Sequence, residues 1–409
     1  MIKKNYVAAV LFTAAVPLLA PLSAEAACSF DNEVPVKSLT AGFEAWKAVT
    51  DAMAECGNVE AELDQEFREK QPAAFAANPS LYHIGGVANA TLVPLLNEGT
   101  IRPLDDLVEK YGQDLSPRQL IKVDGKVMAV AMMVNAQHLM YRKDILDELG
   151  LEAPGTYDQV LSTAAVIKDA GVVDYPLGGT YQTGWNLAQE FVNMYLGFDG
   201  QFFNDDKTPN LNNDVGLKTL EMMKALTAYM DPEFLVADST YVQQQFQQGK
   251  IAMANLWSSR AAAMDDAAES QVVDQVVMEA APRILENGKP ATTLWWDGIV
   301  IAKNISDEEA DAAFRVAMEG MDEEMVGANN DVAVWLIGGY QPGRLAEGAI
   351  ASAIGGAASY PAATEMGLMH TALGDNLADF LTGGETAEQT LADIEEAYIT
   401  AAKEQGLVQ

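Results

Sequence analysis

Basic residues are scarce in this chain: 25 lysines and arginines stand against 59 aspartates and glutamates, a formal net charge of -34. That imbalance excludes a nucleic-acid groove or an anionic lipid surface as a default partner. The acids are spread along the whole chain, so they describe a solvated surface and not a cation site. Histidines number only three, and no two of them share a metal-ligating spacing, so no metal site is expected. Also missing are the Gly-x-Ser-x-Gly elbow of hydrolases, the His-Glu-x-x-His zinc helix and the glycine-rich dinucleotide fingerprint. No cofactor is expected. Neither internal repeats nor low-complexity tracts interrupt the sequence.

Long apolar runs are confined to the start. Lys3 and Lys4 precede an apolar stretch at 7–22 broken by Pro17, and Ala24-Glu25-Ala26 supplies small residues for a signal peptidase. The stretch is shorter than the roughly 20 residues a spanning helix needs, so residues 1–26 read as a secretory signal peptide and the mature chain as periplasmic. Cysteine is as rare, with only Cys28 and Cys56. An even pair in an oxidising compartment points to one disulfide. A strand at 34–39 and a helix at 43–55 packing back along it would return Cys56 to Cys28. Closing such a loop is worth roughly 3–4 kcal/mol.

What the chain does have is length and apolar content. With 409 residues, 49% of them hydrophobic, it is long enough for two domains, since single cores seldom grow beyond about 250–300 residues. Strand-like and helix-like stretches alternate throughout, which indicates an α/β fold. Residues 58–63 alternate as a strand, and 81–86 run as a strand into glycines. In 125–134, Val127, Ala129, Ala131 and Met133 share one face while Met128, Val130, Met132 and Val134 share the other. A strand apolar on both faces is buried on both. Thr156 with Gln159, and Ser306 with Glu309, form capping boxes that start helices, and Gly150 ends a short one. "FQQGKIAM" places Gly249 before Lys250 but lacks the glycine spacing and hydroxyl of a phosphate loop. It reads as a helix at 241–248 followed by a strand at 251–256.

Four segments together resemble the extracellular solute-binding proteins of ABC importers, in the carbohydrate-binding family that includes maltose-binding protein. They are "NEGTIRPLDDLV", "DGKVMAVAMMVNAQHLMYRKDILDELGLEAPGTYDQVL", "FQQGKIAMANLW" and "WWDGIVIAKNISDEEADAAFRVAMEGM". Their order and spacing follow that family across nearly the whole mature chain. The resemblance implies a two-lobed periplasmic-binding-protein fold of the class II type, with strands crossing between lobes and a cleft that closes by hinge motion. It places lobe 1 at 27–134 plus 299–333 and lobe 2 at 135–298 plus 334–409. It also implies a monomer that carries a sugar or glycosylated solute to an ABC permease in the inner membrane, with no nucleic-acid partner and no enzymatic activity.

Open α/β sheets hold ligands beyond the C-terminal ends of their strands, and sugars lie on aromatic faces with polar groups around them. On that basis Trp257 and Arg260 follow one strand end. Trp185, Tyr181 and Gln182 lie in a second loop, where Trp185 either faces the cleft or packs inward. Phe43 opens the first helix, and Glu66, His83 and Asn89 follow early strands. Tyr340 and Arg344 occupy the loop that reaches the ligand in the resembled family. Trp295, Trp296 and Asp297 precede an apolar strand at 298–302; if that strand starts only after Asp297, one tryptophan can wall the ligand, and Trp296 is favoured. Tryptophans with a carboxylate would equally suit a cationic osmolyte such as a betaine. A secreted carbohydrate-active hydrolase, with paired carboxyls, is the alternative of another class.

Overall fold

The structure, a computed structural model, describes residues 28–408, so the expected signal peptide lies outside the described residues. The strands in chain order are β1 (Val36–Thr40), β2 (Val59–Leu63), β3 (Ile84–Ala88), β4 (Leu120–Val123), β5 (Lys126–Asn135) and β6 (Gln137–Arg142). There follow β7 (Tyr175–Gly178), β8 (Ile251–Trp257), β9 (Val276–Glu279), β10 (Thr293–Ile301), β11 (Val334–Trp335) and β12 (Ala358–Ser359). One sheet runs in the order β11-β5-β10-β3-β1-β2, with β4 also on β5 and β12 also on β10. β1 pairs in parallel with β2 and β3, while β10 lies antiparallel between β3 and β5. A second, four-stranded sheet has the order β7-β8-β6-β9.

Each sheet has its own core. Trp46, Met53, Val130, Ile299, Phe314 and Trp335 belong to one buried cluster, and Leu139, Phe191, Tyr195, Met223, Leu373 and Tyr398 to another. β5 is buried on both faces from Val127 to Met133, as its two-sided apolar pattern requires. The chain crosses between cores twice within strands. A single residue, Ala136, separates β5 from β6, and β10 runs unbroken from Thr293 to Ile301. Trp335 and Ile337 still pack in the first core, so the last crossing falls a few residues beyond 333.

The local signals hold. Thr156 and Ser306 cap their helices in full capping boxes. Gly99, Gly150 and Gly249 stop helices with positive φ. Cys28 and Cys56 are disulfide-bonded, tying the segment before β1 to the end of the helix Glu44–Ala54. β10 begins five residues earlier than expected, at Thr293, because β5 offers Asn135, Val134 and Met133 as partners for Trp295, Trp296 and Asp297. No helix among the described residues is long and apolar enough to cross a membrane.

Candidate functional site

The strand ladder decides which tryptophan faces where. Side chains alternate along β10, so Thr293, Trp295 and Asp297 share the more deeply buried face, while Leu294 and Trp296 lie half-buried on the other. The favoured Trp296 is therefore corrected: it does not line the cleft but a second depression with Asn89, Ile121 and Leu336, which Trp295 also borders. Trp295 faces the cleft.

That cleft is a cavity of about 500 Å³ between the two cores. Of the expected residues it gathers Phe43, Glu66, Gln182, Trp185, Trp257, Arg260, Trp295 and Asp297. The C-terminal ends of β2, β5 and β8 supply or lead into its walls, as the strand-end rule anticipates. Trp185, Trp257 and Trp295 form one aromatic wall. Their ring centroids are 5.6 Å apart for Trp185–Trp295, 6.0 Å for Trp257–Trp295 and 6.3 Å for Trp185–Trp257. His370 supports it from behind, its Nε2 3.0 Å from the Trp185 carbonyl oxygen and its Nδ1 2.9 Å from the Tyr360 hydroxyl.

Beneath this wall lies a buried polar network. Trp295 Nε1 donates to Thr293 Oγ1 at 2.9 Å, and Thr293 Oγ1 donates to Asn193 Oδ1 at 2.8 Å. Gln189 Nε2 donates to Thr293 Oγ1 at 2.8 Å, and Asn193 Nδ2 donates to Gln137 Oε1. Gln137 Nε2 then donates to Glu190 Oε1 at 2.8 Å. The network ties both crossing strands to the helix Trp185–Gly197 that carries Trp185. Burial pushes the Glu190 carboxyl up to about 7, against the pull of its bonds to Thr180 and Gln137.

Besides Trp296, five expected residues lie elsewhere, each for a visible reason. His83 precedes β3 at its N-terminal end, where Nδ1 accepts from the Lys37 N–H at 2.9 Å. Asn89 bonds to the backbone of β10, donating to the Leu294 carbonyl at 3.2 Å and accepting from the Trp296 N–H at 3.1 Å. Arg344 pairs with Asp265 and donates to the Val276 carbonyl at 3.0 Å. Tyr340 packs on the first core. Tyr181 is 2% exposed, edge-on to Phe234 in the second lobe.

The cavity also holds residues that the sequence reading passed over, chiefly Arg68, Phe67, Asn135 and Asp238. Asn135 joins the end of β5 to the turn after β8, accepting from the Ser258 hydroxyl at 2.9 Å. Arg68, in the first turn of the helix Phe67–Ala76, reaches across to Trp185 with its Cζ 4.4 Å from the ring centroid. Burial pushes the Asp297 carboxyl up to about 7, opposed by the Arg68 charge and the Trp46 indole. The arrangement offers aromatic faces, a carboxyl, two guanidinium groups and amide side chains. It can hold a small polar molecule with apolar faces. The signal that could have found Arg68 is the strand end that pointed to Glu66, two residues before it.

Comparison with known proteins follows the same line. The family model for bacterial extracellular solute-binding proteins matches residues 37–322. A probable sugar-binding periplasmic protein of Mesorhizobium japonicum is 28% identical over 154 residues, which is 35% of this chain and 36% of that protein. The chain thus matches only about a third of that relative's length. An ABC transporter solute-binding protein from Agrobacterium radiobacter K84, solved with ribitol, superposes with a TM-score of 0.80 at 22% identity, covering 91% of this chain and 99% of that one. One from Agrobacterium vitis S4, solved with D-mannitol, gives 0.77 at 20% identity over 91% and 99%. These structures share the two-lobed fold.

Proposed function

We propose that this chain, which belongs to the bacterial extracellular solute-binding proteins, captures a sugar or sugar-like polyol in its cleft and delivers it to an ABC permease of the inner membrane. The observation that carries the reading is the convergence of aromatic and hydrogen-bonding side chains from both lobes on one cavity of about 500 Å³. That volume lies within the roughly 300–1,000 Å³ of small-molecule sites. The solutes in the two superposed structures, ribitol and D-mannitol, support the same class. The lobes are taken as 27–134 with 299–333 and 135–298 with 334–409, with the return crossing moved beyond Ile337. The chain acts as an exported monomer, without a cofactor and without catalysis.

The aromatic wall bears on the betaine alternative. Its rings are packed against one another, and the Arg68 guanidinium already occupies the face of Trp185. A ligand cation would have to displace that charge, which speaks against a cationic osmolyte. The hydrolase alternative needs two free carboxyls across the ligand, and one of the lining acids, Asp238, is engaged as a helix cap, accepting from the Tyr241 N–H at 2.7 Å.

A thermal-shift screen of ligand-depleted protein against sugars, polyols and betaines tests the proposal. Binding to the native state alone stabilises by about 2.7 kcal/mol at a ligand concentration 100 times Kd, so a sugar or polyol should raise Tm. Trp185→Ala should reduce that rise, and Trp296→Ala, outside the cleft, should leave it. A response confined to betaines, or turnover of a glycoside, would sink the reading.

A further inference from the structure

The cleft contains two guanidinium groups, one from each lobe, that have no carboxylate partner. Arg102, Arg142 and Arg344 each bring a nitrogen within 4.0 Å of a carboxylate oxygen. Among the described residues Arg68 and Arg260 form no such pair, as Arg118, Arg283 and Arg315 do not; what distinguishes these two is that they line the cleft. Arg68 rests on two rings, 4.4 Å from the centroid of Trp185 and 5.1 Å from that of Phe67, with the charges of Asp297, Glu66 and Glu69 near enough to favour its own. Arg260 donates only to neutral groups, Gln243 Oε1 at 3.2 Å and Ser239 Oγ at 3.1 Å. Arg68 is exposed to the cleft and Arg260 is half-buried; desolvation lowers the pKa of both, opposed by Asp297, Glu66 and Glu69 at Arg68 and by Asp238 and Glu44 at Arg260. Both line one cavity, where they can meet an anionic group of a ligand. Each has spare N–H donors in the planar fork that matches a carboxylate.

We propose that the ligand is a sugar acid, a polyhydroxylated carboxylate of the uronic or aldonic class, with Arg68 and Arg260 binding its carboxylate as the lobes come together. This deepens the reading of the cleft as a sugar site and rests on it. A monoanion fits better than a phosphate. Glu66, Glu69, Asp238 and Asp297 line the same cavity, and a doubly charged group meets about twice the repulsion from them that a singly charged one does. The tryptophan wall borders the same cavity for the carbon skeleton, and the carboxyl and amides for its hydroxyls. The guanidiniums come from different lobes, so the anion contacts both and favours the closed form through differential binding.

Titration calorimetry on the purified chain separates the possibilities. The probes are galacturonate, glucuronate and gluconate against galactose, glucose, ribitol and glucose 6-phosphate. The carboxylates should bind at least tenfold more tightly than their neutral counterparts. Arg68→Gln and Arg260→Gln should each lose tenfold or more for the acids, a loss at least tenfold larger than any they cause for the neutral sugars, and Arg68→Lys should fall between. The comparison of acids with neutral sugars uses the unaltered chain, so it stands even if a variant folds poorly. Neutral sugars or polyols binding as well as the acids would overturn the inference and leave the solute-binding reading intact. Preference for glucose 6-phosphate would overturn it too. Silence from every probe would count against both.

Discussion

Asp297 and Glu190 are buried carboxyls in different places, one in the cleft wall and one in the polar network beneath it, and burial carries both up to about 7. Asp297 faces Arg68 and the Trp46 indole; Glu190 faces Gln137 and Thr180, with the buried Tyr157 and Tyr181 phenols nearby. An acid whose folded pKa lies above its unfolded value takes up a proton on folding between the two. Stability therefore falls as pH rises through that window, from 3.8 to about 7 for Asp297 and from 4.5 to about 7 for Glu190. Above it the loss is complete, on the order of 3–4 kcal/mol per group. The protein should melt higher at pH 5 than at pH 8. Surface acids in so negative a chain push the same way, so the discriminating measurement is the double variant Asp297→Asn, Glu190→Gln, whose Tm should vary less between those two pH values. An undiminished pH dependence in that variant would rule out these two groups as its source.

β10 shows which parts of an element a single sequence reveals. Its apolar half was legible because Ile299, Val300 and Ile301 are β-branched and consecutive. Its start was not, because pairing with β5 sets it, and pairing partners are far apart in sequence. The same limit misplaced Trp296. The helix Phe67–Ala76 that carries Arg68 was illegible for another reason: its buried face includes Gln71, which donates to the carbonyls of Leu39 and Gly86 at 3.1 and 2.6 Å. A polar residue with Pro72 beside it breaks the apolar stripe. Capping boxes and helix-ending glycines, by contrast, are chemistry within a few residues and were read in place. The role of Gly298 is clear only with both strands in view. The β5–β10 register shifts between Asp297 and Gly298, and a Cβ at 298 would lie 2.2 Å from the Val130 carbonyl oxygen and 2.6 Å from the Ala131 Cα. Backbone atoms cannot step aside as side chains do. Gly298→Ala should cost about 2–4 kcal/mol by displacing one strand. Gly367→Ala, inside the helix Thr364–Thr382 with nothing within 4 Å of its Cβ, should instead gain about 0.5–1 kcal/mol. Equal Tm values for the two variants would refute the close-approach argument.

For the molecule as a whole, the crossings constrain how the lobes can move. Ala136 alone separates β5 from β6, and β10 pairs Trp295 with Asn135 at the same level, so two of the crossings form a paired two-strand bridge, while the last, beyond Ile337, runs through a loop. On the second-lobe side, Gln137 and Thr293 are locked to Asn193 and Gln189 by buried hydrogen bonds. On the other, Ile299 to Ile301 are wholly buried in the first sheet. Bending is left to residues 134–136 and 295–298, where Asn135 bonds the Ser258 hydroxyl and the register of β10 shifts at Gly298. Arg68 on Trp185, and Asn97 Nδ2 donating to Thr364 Oγ1 at 2.8 Å, are side-chain contacts that reach from one lobe to the other away from the crossing strands. Neither is worth much alone, since an exposed cation–π contact contributes about 0.5–1 kcal/mol. A ligand touching both walls is needed to hold the closed form, and its apparent affinity is reduced by the fraction of molecules not yet closed. Small-angle scattering of the ligand-free chain should therefore give a larger radius of gyration than the ligand-saturated chain. Hydrogen exchange should slow on binding in peptides covering 134–136 and 295–298 more than in the helix Trp185–Gly197. Identical radii with and without a bound ligand would mean that the cleft is preformed and that these strands do not act as a hinge.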